Sequence, residues 1–327
     1  MSLIIKNLSK RYDKTPIIKD VSLEVERGEI LGIFGTVGEG KSTLMRAIAG
    51  AELQTSGTIS FNALDLTDKP YPERGFYFPN LTNESYWKSI FKTNTPSQLA
   101  AGEGQILALE EALERAQDVL LLDNQFCYMD RQTREQNCEK LRQKVKEKYL
   151  AVIFATNSFT EIFDICDCVA ILHKGEIIQT GTPREVYENP NSAIVASVTG
   201  RNNLIEARRL TSNKAEIPEF LTLKGEHRLF TNKVDKPLLG VINQNLTLAI
   251  RPEHISISFG ASFPEDNLLK AQITNIIFKG ETTLIMLNAN GLTLVALVLR
   301  LVGLNIGEEC MVGLPPDRIL VLQDTAS

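Results

Sequence analysis

Residues 35–43 read Gly-Thr-Val-Gly-Glu-Gly-Lys-Ser-Thr, and no other stretch narrows so sharply what the chain can fold into. Gly35, Gly40, Lys41 and Ser42 meet the Gly-x-x-x-x-Gly-Lys-Ser/Thr pattern of a phosphate-binding loop. Successive backbone N–H groups of such a loop point inward at phosphate oxygens. Its glycines let the backbone come close and take positive φ. Thr36, Val37, Gly38, Glu39 and Thr43 complete the cradle. Lys41 is placed to reach the β- and γ-phosphates, and the Ser42 hydroxyl to ligate Mg²⁺. The pattern needs a strand before it and a helix behind it. Residues 30–34 are an apolar run suited to a buried parallel strand. Residues 44–50 have helical spacing closed by a glycine. A nucleotide bound through its phosphates, at the positive end of that helix, is the expectation.

A length of 327 residues allows two domains. A hydrophobic fraction of 43% and a charged fraction of 23% are those of a soluble globular protein. The net charge of −5 argues against a nucleic-acid-binding surface. No apolar stretch reaches the roughly 18–20 residues of a membrane span, and the first residues lack a signal-peptide core. Five cysteines in irregular spacing suit a reducing compartment, and the expected location is the cytoplasm. Cys166 and Cys168 read as buried thiols, since no second pair completes a zinc site.

Residues 3–8, 21–25 and 57–61 alternate apolar and polar, as half-exposed antiparallel strands do. Residues 119–123 and 151–156 are continuous apolar runs, the first ending in Asp123, with a polar helix-forming stretch at 131–148 between them. That alternation indicates an α/β parallel sheet. Beyond about residue 200 short β-rich runs with turn residues take over, at 246–250, 254–258, 283–287 and 319–322. They predict a small all-β domain of barrel type. The expected division is 1–200 and 201–327.

Taken together, these residues resemble the ATP-binding subunit of an ABC transporter, closest to importer ATPases of the ferric iron, spermidine/putrescine and maltose types. The resemblance implies a P-loop NTPase core of ABC type with an antiparallel β subdomain, followed by an OB/TOBE-like β-domain. It implies ATP and Mg²⁺ as cofactors, with Ser42 and Asp123 on the metal. Tyr12 matches the aromatic that stacks on adenine, although a strand-surface tyrosine would read the same. Asp130 matches an aspartate at a dimer interface and serves equally well as a helix N-cap. Residues 173–183 follow the strand pair that ends these ATPase domains. Arg251-Pro252-Glu253-His254 resembles the signature of the importer β-domain, with Pro252 fixing a bend. The implied partners are a second ATPase subunit, identical or not, and transmembrane permease subunits on the inner face of the membrane.

Four of the family's remaining motifs depart from pattern. The glutamate that polarises water after the motif aspartate is Asn124, and an amide accepts a proton poorly. The switch histidine falls on Asn157. The glutamine of the loop after Phe78 falls on Pro79, beside Asn80. The Leu-Ser-Gly-Gly-Gln signature reads Leu99-Ala100-Ala101-Gly102-Glu103. The fifth departure is length. Residues 80–98 are too few for the family's helical subdomain at about 1.5 Å rise per residue. Trp87, with Tyr86, Ile90 and Phe91, lies in that shortened piece as a packing cluster or a docking remnant. Two functions stay open: an importer ATPase subunit with weak or absent hydrolysis, and a non-hydrolysing nucleotide-dependent regulator or scaffold.

Overall fold

A computed structural model of the protein describes residues 1–79, 101–210, 217–232, 241–259, 266–299 and 303–322. The chain forms two compact units, Met1–Glu188 and Asn189–Ser327.

In the first unit, β1 (Ser2–Tyr12), β2 (Thr15–Glu26), β4 (Ser56–Phe61) and β5 (Leu64–Asp65) make an antiparallel sheet in the order β2-β1-β4-β5. The expected alternation is what builds it. Val21, Leu23 and Val25 face the core while Glu24 and Glu26 face solvent. The second sheet runs β6-β7-β3-β8-β9, from β6 (Val119–Asp123), β7 (Ala151–Thr156), β3 (Ile30–Phe34), β8 (Cys168–His173) and β9 (Glu176–Gly181). Its first four strands are parallel, and β9 returns antiparallel. The parallel strands are almost wholly buried, which is why they read as unbroken apolar runs.

Register then assembles one end of this sheet. Phe34 pairs with Thr156 and Asp123 with Ala155, so the loop after β3, the end of β6 and the end of β7 meet at the same carboxyl edge. Ligand sites of open α/β sheets lie at such edges. Helix α1 (Lys41–Ala49) starts there and buries Leu44, Met45, Ala47 and Ile48. Gly50 closes it in the left-handed region at φ 79°. The buried Arg74 guanidinium adds two hydrogen bonds of 2.8 Å to the carbonyls of Ala47 and Ile48. Around the sheet follow α2 (Ala101–Arg115), α3 (Arg131–Lys148), α4 (Phe159–Ile165) and α5 (Pro183–Glu188). The shortened piece at 80–98, with Trp87 and its neighbours, and Leu99 and Ala100 of the signature lie outside the described residues.

The second unit opens with α6 (Ala193–Val198) and continues as β10 (Asn203–Arg209), β11 (Glu219–Thr222), β12 (Arg228–Phe230), β13 (Asn245–Ile250), β14 (Ser256–Ser258), β15 (Asn267–Phe278), β16 (Thr283–Ala289), β17 (Leu292–Val298), β18 (Glu309–Leu314) and β19 (Leu320–Leu322). They form two five-stranded antiparallel sheets, β12-β11-β10-β13-β19 and β14-β18-β15-β16-β17. Ile205, Phe220 and Leu248 from one and Ile273, Ile285, Leu294 and Val312 from the other share a single core. This is the expected all-β domain. The boundary falls earlier than residue 200, because α6 belongs to the second unit. Arg251, 4% exposed, donates to the carbonyls of Ala196 at 3.2 Å and Arg201 at 3.4 Å and to the Thr199 hydroxyl at 3.0 Å. A cation at a helix carboxyl end is favourable. Pro252 opens a 3₁₀ turn to His254, and Arg251 before it is extended, as the residue ahead of a proline should be.

Candidate functional site

The phosphate loop leaves β3 at Gly35, whose N–H lies 3.4 Å from the Thr156 carbonyl. A Cβ at Gly35 would lie 2.6 Å from the Leu172 carbonyl oxygen, so the strand can turn there only without a side chain. Gly40, at φ 100°, is the last residue before α1, and a Cβ there would meet Ile18 at 2.9 Å. These contacts are why the sequence requires glycine at both positions. Val37 at the crown is 85% exposed.

Lys41 is buried, and its Nζ folds back on the loop, donating to the Gly35 carbonyl at 2.6 Å and the Thr36 carbonyl at 2.9 Å. Burial lowers its pKa, while Asp123 and Glu39 favour the charged form. Asp123 is the reciprocal case. Burial raises its pKa, opposed by a hydrogen bond from the Ser42 hydroxyl and by Lys41 and Arg46. Ser42 and Asp123, assigned to the metal by pattern, are thus brought together. Mg²⁺ is commonly held by one or two protein oxygens plus substrate phosphates, and this donor set suits it.

Asn124 takes the left-handed conformation at φ 50°, which asparagine tolerates better than most residues. Its Nδ2 donates to Asp123 Oδ1 at 3.1 Å, so the amide is turned onto the carboxylate. Asn157 is exposed one residue past Thr156, at the same edge. Tyr77 pairs in parallel with Leu120, which carries the buried Pro79 along β6 toward Asp123. Proline there has neither an amide side chain nor a backbone N–H to offer.

Tyr12 ends β1 and is 42% exposed. Its hydroxyl donates to Glu52, which also takes a 2.6 Å bond from Arg46 of α1, and Lys10 lies 5.2 Å above the ring. The ring is held in place beside the helix that follows the loop. Asp130 is an N-cap: it accepts from the Thr133 N–H at 3.0 Å and the Thr133 hydroxyl at 2.6 Å.

Two groups, Gln105 and Glu161, and one contact, that of the cradle residue Glu39, escaped sequence reasoning. Gln105 of α2 is buried and donates to the Asn124 carbonyl at 3.2 Å while accepting the Tyr128 N–H at 3.0 Å. Glu39 reaches the turn after β8. Glu161, 4% exposed, accepts the Thr156 hydroxyl at 2.5 Å beneath the switch position. Its one local signal is a carboxylate on the otherwise apolar face Phe159, Ile162 and Ile165.

Burial pushes the Glu161 carboxyl above the ordinary value of 4.5; the Thr156 hydroxyl and Arg134 oppose this and Asp164 adds to it. Between 4.5 and the raised folded value the native state binds more protons than the unfolded chain. Stability therefore falls as pH rises through that window. Glu161→Gln keeps an acceptor for Thr156 and removes this dependence. Its advantage over the wild type in urea midpoint is expected to grow from pH 4 to pH 8. A constant difference would show that Glu161 does not titrate with folding.

Fold and loop together define a phosphate-loop α/β protein with an appended β-domain, and comparison with known proteins resolves the class further. The sequence matches the ABC transporter family over residues 18–84 and the TOBE domain over residues 248–322. The sulfate/thiosulfate import ATP-binding protein of Bacillus cereus is 31% identical over 296 residues, covering 79% of this chain and 80% of that protein. The spermidine/putrescine import ATP-binding protein of Thermotoga maritima is 29% identical, covering 85% and 84%. The Fe(3+) ions import ATP-binding protein of Haemophilus influenzae is 29% identical, covering 88% of each. A crystal structure of a nucleotide-free ATP-binding cassette from an ABC transporter shares the fold at a TM-score of 0.53 and 17% identity, over 62% of this chain and all of that one. The chain belongs to the ABC transporter family of ATP-binding proteins, in the importer type that carries a TOBE domain. Among the described residues no helix is long and apolar enough to cross a membrane.

Proposed function

We propose that the protein is the ATP-binding subunit of an ABC importer, taking ATP·Mg²⁺ at residues 35–43 and hydrolysing it near the background rate. The loop N–H groups and Lys41 would hold the phosphates, Ser42 and Asp123 the Mg²⁺, and Tyr12 the adenine. Bound Mg²⁺ would neutralise charge on the phosphate oxygens. The observation that carries weak hydrolysis is Asn124, whose amide donates to Asp123 where a general base is needed. Loss of such a base costs about 10²–10⁴-fold.

Relatives that import sulfate, polyamines or ferric iron support a cargo of that broad class, with sugars the remaining expectation, read by other subunits. The working unit would be a dimer, with itself or with an intact ATPase, on permease subunits at the inner face of the membrane. The β-domain would regulate it. The changes at Asn124, Asn157 and Pro79 favour one other reading, a non-hydrolysing regulator or scaffold whose assembly follows ATP.

Titration of ATP with Mg²⁺, run beside a phosphate-release assay, tests the proposal. Saturable binding with release far below 1 s⁻¹ is expected, and release of about 1 s⁻¹ or faster would exclude the weak-hydrolysis reading. Absence of binding would remove both readings. Copurification with a membrane permease would separate the importer subunit from the regulator.

A further inference from the structure

We infer that Glu39 is a positioning residue, clasping the phosphate loop to the turn after β8 so that the loop backbone is already shaped for a triphosphate. The inference rests on residues 35–43 being the ATP site.

Glu39 stands between Gly38 at φ 92° and Gly40 at φ 100°, the place in the loop where the backbone is least restrained by its own side chains. A carboxylate is an unexpected choice beside a site for polyanions, and its side chain is only 13% exposed. It is turned toward protein donors. Oε1 accepts the Thr36 hydroxyl at 2.9 Å and faces His173 Nδ1 at 3.1 Å. Oε2 accepts the backbone N–H of Lys174. The clasp therefore joins two points of the loop to a segment 134 residues away.

That segment is a firm base. His173 pairs with Glu176, and Lys174 and Gly175 between them are left-handed at φ 48° and 82°, the geometry of a two-residue hairpin turn. The Lys19 N–H donates to the Gly175 carbonyl at 2.8 Å, and Lys19 Nζ lies 3.1 Å from Glu176. Ile17 is so close that a Cβ on Gly175 would lie 2.1 Å from its carbonyl oxygen. The same Ile17–Ile18 stretch abuts Gly40. Burial disfavours the Glu39 carboxylate, yet the Lys174 N–H, the Thr36 hydroxyl and His173 together hold it below the usual range, so it stays an acceptor at neutral pH.

A clasp and an electrostatic brake on anion binding predict opposite signs. Glutamine keeps an acceptor for the Lys174 N–H and meets the Thr36 hydroxyl with an amide donor in place of the acceptor, without the charge, whereas alanine removes the clasp and the charge together. Affinities of the full-length protein for ATP·Mg²⁺ and for inorganic tripolyphosphate should therefore be measured for wild type, Glu39→Gln and Glu39→Ala. Alanine is expected to weaken both by roughly 3–10-fold, the scale of ordering one restrained segment, and glutamine to stay within about twofold. Tightening in both variants, or an alanine variant equal to wild type, would overturn the inference. Amide hydrogen exchange without ligand supplies the independent measurement. Residues 36–40 and 174–175 should exchange faster in the alanine variant and not in the glutamine variant. Unchanged exchange would overturn the clasp even if affinity fell. Failure of the wild type to bind ATP would remove the ATP reading, and exchange would still decide whether the clasp exists.

Discussion

Lys41→Met is expected to weaken ATP·Mg²⁺ binding by about 100–1,000-fold while leaving the fold intact. In the structure the Lys41 ammonium is a buried cation satisfied by two carbonyls of its own loop, at 2.6 and 2.9 Å. It lies close enough to Asp123 and Glu39 for both to support its charge. Charge-assisted hydrogen bonds contribute about 1.5–3 kcal/mol each, so two of them to phosphate oxygens amount to about two to four powers of ten in affinity, and the two loop-carbonyl bonds given up to make them bring the net to the lower part of that range. Methionine retains the apolar stem that packs at the start of α1, so packing and charge are separated. The folded state loses a cation that was costly to bury, and with it the partner that opposes neutralisation of Asp123. These effects offset, and the melting temperature should move by only a few degrees. Calorimetric titration of both proteins with ATP·Mg²⁺ decides the matter. A loss below about threefold would mean that the phosphates do not reach Lys41, and the loop would then be a structural turn.

How much of this was legible in the sequence depended on whether the informative partners were near in the chain. The loop announced itself because Gly35, Gly40, Lys41 and Ser42 lie within a single eight-residue stretch flanked by a strand and a helix of matching character. Asp123, Asn124 and Asn157 could be placed because buried runs leave no freedom of register. Asp130 stayed ambiguous in the sequence, and one local contact, the Thr133 N–H, shows it to be a cap. Long-range pairings were not legible. Nothing in the sequence places β3 between β7 and β8, or brings Lys174 to Glu39 or Gln105 to Asn124. The unit boundary was missed for the same reason. Nothing in residues 193–198 themselves points to Arg251, more than fifty residues on, which bonds their carboxyl end. Tyr12 lies between these cases, since its strand was evident but its tie to Glu52 and Arg46 was not.

Asn124→Glu combined with Asn157→His is expected to raise phosphate release at least tenfold over wild type, yet to leave it below about 1 s⁻¹, under the usual enzyme range. The gain would come from a basic carboxylate and an imidazole placed at the carboxyl edge where the loop, β6 and β7 converge. The limit comes from what surrounds them. Asn124 holds φ 50°, a conformation in which glutamate is less favourable by about 1 kcal/mol. Its amide donates to Asp123, and glutamate would exchange that donor for a second carboxylate beside an acid that burial already pushes toward its neutral form. Metal affinity should therefore fall as the base is gained, and more Mg²⁺ should be needed for half-maximal release. Pro79 would still have no side-chain donor to offer, and Glu103 would still bring a negative charge to the signature segment. Phosphate release at saturating ATP across a Mg²⁺ titration separates the outcomes. No rise would mean that Asn124 and Asn157 are not what limits phosphate release. A rise to about 1 s⁻¹ or beyond would show that Pro79 and the signature changes matter little, and that these two substitutions suffice for turnover in the usual enzyme range.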